Sequence, residues 1–185
     1  MAIELPPATL ARLGQVQHEL QRDPALAGLR WVRPDGIHLT LKFLGETPED
    51  EQAAIERAIS RAVTDIAPFE VELGKLGCFG SHRSPRVLWV DVEGDIASLG
   101  RLQVNVEREL AALGYPPDGR AFSAHLTLAR VPPERAAQVA AALEAAISAA
   151  VAPTGVIPVD EVALMRSDLR PNGAVYTQLF AAPLV

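Results

Sequence analysis

The chain has 185 residues, of which 49% are hydrophobic and 22% charged, a composition that fits one compact domain and excludes a disordered chain. Its formal net charge is −6, which argues against a protein that coats long nucleic acids, because such binding depends on a basic surface. The single cysteine, Cys78, excludes an internal disulfide framework and a CxxC-type metal site, and it fits a reducing compartment.

No segment of the chain has the pattern of a targeting signal or a membrane span. The first residues lack both the basic region and the apolar run of a signal peptide. The most apolar uncharged stretch, 145–159, is interrupted by prolines and is too short to cross a bilayer. We therefore expect a cytoplasmic protein with no membrane partner. Although the protein is acidic overall, it can still bind one phosphate group in a small cationic cleft.

Helical and strand-like patterns follow one another along the chain. Amphipathic spacing predicts four helices, at about 7–22, 47–66, 95–113 and 132–147. Seven runs predict strands, at 2–5, 37–44, 69–75, 86–92, 122–131, 155–165 and 174–180. Asn172-Gly173 predicts a hairpin turn that pairs the last two strands antiparallel. This mixture of elements indicates an α+β fold rather than a doubly wound parallel sheet.

One tetrapeptide occurs twice in the chain. His38-Leu39-Thr40-Leu41 recurs 87 residues later as His125-Leu126-Thr127-Leu128. Each copy lies on a predicted strand, follows an amphipathic helix and precedes a helix that starts at proline. We therefore predict a single domain over residues 1–185 that contains two copies of one unit, at roughly 1–92 and 93–185.

Strand geometry divides each tetrapeptide between two faces, because residues i and i+2 point to the same side. The leucines are expected to enter the core, and the histidine and threonine to project together onto the opposite surface. If the two units pack about a pseudo-twofold axis, the two His-Thr pairs face each other across one cleft. By the same alternation Lys42 lies on the face of His38 and is a possible member of the site.

Two opposed imidazoles are suited to phosphoester chemistry. One can take a proton from an attacking water or hydroxyl while the other protonates the leaving oxygen. Threonine hydroxyls and nearby cationic side chains can hold the non-bridging phosphate oxygens. A histidine on a strand is more often structural, but the matched duplication favours the catalytic interpretation.

We expect the site to use no metal and no cofactor. The motif has threonine where a metal site would use a second histidine. The nearest carboxylate, Asp35, also lies outside the predicted strand that carries His38.

Further segments around the tetrapeptides complete a family pattern. They are residues 3–6, 31–34, 38–46 and 122–130, with a fainter match at 167–169, Gly173, Tyr176 and Leu179. On these segments the chain resembles the two-histidine phosphoesterases, and within them the RNA 2′,3′-cyclic phosphodiesterases, also known as 2′-5′ RNA ligases. The resemblance implies a bilobal, pseudo-twofold α+β fold whose two antiparallel sheets face a central cleft, with helices outside.

The same resemblance implies an activity and a role for each site residue. The activity is the opening of a 2′,3′-cyclic phosphate, at an RNA 3′ end or on a nucleotide, to leave a 2′-phosphate. His38 would be the proton donor to the leaving O3′, and His125 the base that activates water. Thr40 and Thr127 would hold the phosphate, and Arg130 would help them.

Several alternatives stay open at this point. The residues alone do not say which histidine is the acid. The protein could be a 2′-5′ RNA ligase, an enzyme acting on small cyclic nucleotides or ADP-ribose cyclic phosphate, or a non-catalytic module that binds RNA ends. No obligate protein partner is expected.

Overall fold

A computed structural model describes residues 1–170 and 173–185 of the chain. The helices within them are α1 (Pro7–Leu20), α2 (Gln52–Val63), α3 (Ile96–Ala111) and α4 (Ala136–Ala149). The strands are β1 (Ala2–Ile3), β2 (Arg30–Trp31), β3 (Leu39–Thr40), β4 (Phe69–Ser81), β5 (Ser84–Gly94), β6 (His125–Arg130), β7 (Val156–Val159), β8 (Glu161–Arg170) and β9 (Gly173–Pro183). Single 3₁₀ turns at Glu49–Glu51 and Pro133–Arg135 lead into α2 and α4.

The strands form two antiparallel sheets. The first sheet has the order β3-β1-β8-β9 and the second has the order β2-β6-β5-β4-β7. Strands β3 and β6, which carry the two tetrapeptides, belong to different sheets but approach each other with Cα atoms within 8 Å. The fold therefore brings the two motifs together where the sheets meet. The predicted α+β class with two antiparallel sheets is confirmed.

Each sheet takes strands from both halves of the sequence. The first sheet joins β1 and β3 to β8 and β9, and the second joins β2, β4 and β5 to β6 and β7. The two predicted units, at roughly 1–92 and 93–185, therefore exchange strands, and neither sheet is built from one unit alone. The backbone hydrogen bonds of each sheet depend on both halves.

The exchange also explains where the predicted strands differ from the observed ones. The run 155–165 is two strands separated at Asp160: β7 pairs with β4 in the second sheet, and β8 pairs with β1 and β9 in the first. The short strand β2 carries no alternation and was not predicted. The antiparallel pairing of β8 with β9 is confirmed. The turn predicted at Asn172 lies outside the described residues.

Helices cover both sheets and enclose a continuous apolar core. Helix α2 packs on β8, β9 and α3, and α4 packs on β5. The buried face of α2 carries its helically spaced apolar residues: Ile55, Ala58, Ile59, Ala62 and Val63. In the described part of the chain, no helix has the length and apolar character needed to cross a membrane.

Candidate active site

The two tetrapeptides show the alternation that strand geometry predicts. All four of their leucines are buried in the core: Leu39, Leu41, Leu126 and Leu128. Their histidines and threonines are only partly buried and lie on the opposite face: His38, Thr40, His125 and Thr127. The leucines thus anchor each motif, and each motif presents its histidine and threonine on the face opposite to its leucines.

Both imidazoles are held by the same local hydrogen bond. His38 Nδ1 lies 2.9 Å from the carbonyl oxygen of Gly36, and His125 Nδ1 lies 2.7 Å from the carbonyl oxygen of Ser123. A carbonyl can only accept, so each Nδ1 carries the hydrogen and donates it. Each Nε2 is therefore the ring nitrogen left for proton exchange with a substrate.

An aromatic ring packs edge-on against each imidazole. Tyr176 of β9 lies 4.6 Å from His38 at an interplanar angle of 73°, and Phe79 of β4 lies 4.8 Å from His125 at 85°. A methyl group on Gly36 would stand 3.5 Å from the Tyr176 ring, so this ring also packs on the peptide that holds His38. The two aromatic contacts restrict both imidazoles in the same way.

Sequence reasoning assigned neither aromatic residue a role. Tyr176 belongs to the C-terminal segment of the family pattern, and this is the signal that could have identified it. Phe79 is distant in sequence from both motifs, and only the pairing of β4, β5 and β6 brings it to His125.

The environment of His38 is the more enclosed of the two. A cavity of about 130 Å³ borders its ring, and its lining includes Leu10, Met165 and Tyr176 together with the acidic residues Glu4 and Asp35. Burial lowers the pKa of His38 below its ordinary value of 6.5, and the hydrogen bond to Gly36 offsets part of this effect. Asp35 forms an ion pair with Arg33 at 2.6 Å. The free protein therefore favours the neutral form of His38.

Lys42 does not join the imidazoles, contrary to the alternation argument. Its side chain is 2% exposed, and its ammonium donates to Glu107 at 2.5 Å and to the carbonyl oxygen of Pro116 at 2.7 Å. Strand β3 ends at Thr40, so the alternation does not extend to residue 42. Phe43, which follows, is 76% exposed. Lys42 is a buried structural cation that joins the end of the first motif to α3.

A β-bulge brings Arg130 to the face of the second motif. Ala129 pairs with Leu88 of β5 and Thr127 pairs with Trp89, so Leu128 is an extra residue on β6. One extra residue reverses the alternation beyond it. Arg130 is exposed, whereas Ala129 is buried, as this reversal requires. Regular alternation would have directed Arg130 toward the core side.

Gln17 of α1 holds this bulge from the core side. Its side chain is 3% exposed, and its Nε2 donates to the carbonyl oxygens of Val32 at 2.8 Å and Leu128 at 2.9 Å. The amide of Val32 donates to the same Leu128 oxygen. Sequence reasoning missed Gln17, because a polar residue on a helix gives no sign of which distant carbonyl it will bind.

Other parts of the described chain carry less chemistry. Within residues 1–170 and 173–185, no group of three or more His, Cys, Asp or Glu side chains is arranged to hold a metal ion. A larger groove of about 890 Å³ lies between α2 and α3 and contains none of the candidate site residues. The site is therefore assigned from its side chains and not from the size of a cavity.

Comparison with known proteins identifies the family. The family model described as LigT-like phosphoesterase matches the chain twice, at residues 3–89 and 90–176. The RNA 2′,3′-cyclic phosphodiesterase of Methanothermobacter thermautotrophicus is 30% identical and aligns over 97% of this chain and 94% of its own. A solved structure from Thermus thermophilus has a TM-score of 0.76 at 30% identity, covering 99% of this chain and 95% of that one.

The structure of E. coli LigT complexed with 3′-AMP has a TM-score of 0.73 at 26% identity, covering 99% of this chain and 95% of that one. The two matches of the family model also confirm the predicted duplication, since each contains one histidine motif. The chain belongs to the LigT-like phosphoesterase family.

Proposed function

We propose that this protein hydrolyses terminal 2′,3′-cyclic phosphates of RNA to 2′-phosphomonoesters, with His38 and His125 as the acid–base pair and without a metal ion. The observation that carries the proposal is the matched pair of imidazoles. Each is fixed through Nδ1 on the carbonyl two residues before it, and the two motif strands lie together where the sheets meet. A relative that is named for this activity aligns along nearly the whole chain.

The reaction needs one proton removed and one delivered. The Nε2 atom of His125 accepts a proton from a water molecule as the water oxygen attacks phosphorus. The bond from phosphorus to O3′ breaks, and His38 donates its Nε2 proton to that oxygen. The products are a 3′-hydroxyl and a 2′-phosphate. This division of roles follows the family resemblance.

The hydroxyls of Thr40 and Thr127 bind the non-bridging phosphate oxygens in this proposal. They lie on the faces of their histidines, one from each motif, so they can hold the phosphate from two sides. Arg130 adds a guanidinium on the face of Thr127. Donors fixed before the reaction stabilise the charge that develops on these oxygens in the transition state.

The same groups can open the cyclic phosphate with a different nucleophile. If a ribose 5′-hydroxyl replaces water as the partner of His125, the product is a 2′-5′ phosphodiester, and the protein acts as a ligase. A module that only binds RNA ends would keep the phosphate contacts without turnover. We further propose a cytoplasmic location, where the single cysteine stays reduced.

Incubation with an oligoribonucleotide that ends in a 2′,3′-cyclic phosphate tests the proposal. We expect a product whose phosphorus NMR spectrum is that of a 2′-phosphomonoester, formed at the same rate with and without excess EDTA. A 3′-phosphate product would contradict the assigned leaving oxygen. Loss of activity with EDTA that zinc or manganese restores would contradict metal independence. Binding of the oligoribonucleotide without turnover would instead support a non-catalytic module that binds RNA ends.

The pKa of His38 is expected to rise when substrate or product binds. Burial favours its neutral form in the free protein, so the donor form is lost as pH rises through a pKa below 6.5. A phosphate anion beside Nε2 favours the imidazolium and raises that pKa. NMR titration of the His38 ring, assigned with His38→Gln, measures both values, without and with a nucleoside 2′-phosphate. An equal or lower pKa in the complex would argue that His38 does not face the phosphate.

Replacing Arg130 by alanine is expected to cost about 2–4 kcal/mol in kcat/KM, the typical loss when one transition-state donor is removed. The side chain is exposed, so the fold and the melting temperature should change little. Arg61→Ala, which removes an exposed arginine from α2, serves as the control for net charge. An unchanged kcat/KM for Arg130→Ala would place this side chain outside the site.

A further inference from the structure

Arg30 lies beside Arg130 on the neighbouring strand. Strand β2 pairs antiparallel with β6, and Arg30 is directly opposite Arg130 in this register. Residues in directly opposite positions share a face of the sheet, with Cα atoms about 4.5–5.5 Å apart. Both side chains are exposed. The bulge that brings Arg130 to the face of His125 and Thr127 therefore brings Arg30 to this face too.

The backbone around the two arginines is fixed from the core side. Gln17 donates from one buried amide group to Val32, just after β2, and to Leu128 of β6. It thus joins the two strands at the bulge that sets the direction of Arg130. The position of Arg30 relative to Thr127 is a built feature of the fold, since β2, the bulge and α1 all contribute to it.

Two like charges in directly opposite positions are unfavourable in an antiparallel pair. In the part of the chain that the structure describes, neither Arg30 nor Arg130 forms an ion pair with a carboxylate, whereas Arg33, Arg61, Arg108 and Arg166 do. The chain has 23 acidic residues and a net charge of −6, so carboxylates are abundant elsewhere. Two exposed guanidinium groups that lie side by side can bind an anion between or beside them, and guanidinium groups bind phosphate oxygens in a bidentate manner.

We propose that Arg30 binds the phosphodiester that joins the terminal nucleotide of the substrate to its 5′ neighbour. The inference rests on the proposed function, in which Thr127 and Arg130 hold the cyclic phosphate. Arg30 lies one strand further from the motif and is placed for the next anion along an RNA strand. The substrate class is then an oligoribonucleotide end, in preference to a free nucleoside 2′,3′-cyclic phosphate, which has no second phosphate.

The test compares two substrates that share the same terminal nucleotide: a nucleoside 2′,3′-cyclic phosphate and a dinucleotide that ends in a 2′,3′-cyclic phosphate. The wild-type protein should have the higher kcat/KM for the dinucleotide. Arg30→Ala should lower the ratio of the two kcat/KM values by about tenfold, the order expected for one charged hydrogen-bonded contact. Arg30→Lys should give an intermediate ratio. Arg61→Ala should leave the ratio unchanged.

The salt dependence of binding is a second measurement. The slope of log Kd against the logarithm of the salt concentration, measured for the dinucleotide, should be smaller in Arg30→Ala. The decrease should correspond to the loss of about one phosphate contact. The proposal would be overturned if Arg30→Ala lowered kcat/KM equally for both substrates, or if Arg61→Ala changed the ratio as much as Arg30→Ala does. Either result would leave the proposed phosphodiesterase activity standing. If the wild-type protein turns over neither substrate, the proposed function fails. Binding of the dinucleotide and mononucleotide 2′-phosphates by calorimetry then tests Arg30 alone, and an unchanged affinity ratio in Arg30→Ala overturns its role.

Discussion

Alanine at His38 or at His125 is expected to lower kcat by about 10²–10⁴-fold, the contribution of a positioned general acid or base. Each imidazole is fixed through Nδ1, so each variant removes one proton-transfer step together with one aromatic contact. The double variant should be little worse than either single variant, because two groups that act in one step give non-additive losses. Steady-state rates on a cyclic-phosphate substrate measure all three.

A substrate with an activated leaving group separates the two histidines. Such a leaving group needs no proton, so it should rescue His38→Ala but not His125→Ala. Rescue of His125→Ala instead would exchange the two roles, and rescue of neither would contradict the division into acid and base. His18→Ala is the matched control, since His18 is an exposed residue of α1 and belongs to neither motif, and the kcat of this variant should be unchanged.

The parts of the site that follow local periodicity could be predicted from the sequence. Alternation along a strand depends only on backbone geometry, so the burial of the leucines and the common face of His38 with Thr40 were predictable. The duplication supplied the second half of the site, because a repeated unit repeats its strand and its exposed face. These two arguments needed no knowledge of which strands pair.

The parts that depend on where regular alternation ends could not be predicted. Lys42 lies two residues beyond the end of β3, and its ammonium turns into the core to meet Glu107. Arg130 lies beyond a bulge whose extra carbonyl is bound by Gln17, 111 residues earlier in the chain. Alternation extended beyond the end of β3 therefore placed Lys42 on the face of His38, whereas its ammonium binds Glu107. Alternation also gave no reason to include Arg130 in the site, and only the family resemblance suggested this residue.

Long-range strand pairing was the other feature hidden from the sequence. The run 155–165 contains Pro158 and two acidic residues at 160–161, but these do not show that at Asp160 the chain passes from the edge of the second sheet into the middle of the first. Likewise, β2 is a strand only because β6 offers it a backbone partner. Arg30, which that pairing brings beside Arg130, could not have been recognised without the register.

The buried pair of Lys42 and Glu107 gives the second large expected effect, on stability and not on chemistry. Lys42→Met should lower the free energy of unfolding by about 3–5 kcal/mol, because it leaves the Glu107 carboxylate buried without its cation. The side chain of Gln103 also donates to that carboxylate, at 3.1 Å, but it carries no charge. Urea denaturation measures the change, provided the slope of the transition is the same for both proteins.

The double variant Lys42→Met with Glu107→Leu separates a structural ion pair from a catalytic lysine. It replaces both charges with apolar side chains of similar size, and such a replacement of a buried pair is often neutral or stabilising. Most of the lost stability should therefore return, and kcat should stay within a fewfold of the wild-type value, since the ammonium is bound to Glu107 and Pro116 and not directed to the imidazoles. If the double variant folds but its kcat falls as far as that of His38→Ala, Lys42 has a role in the active site after all.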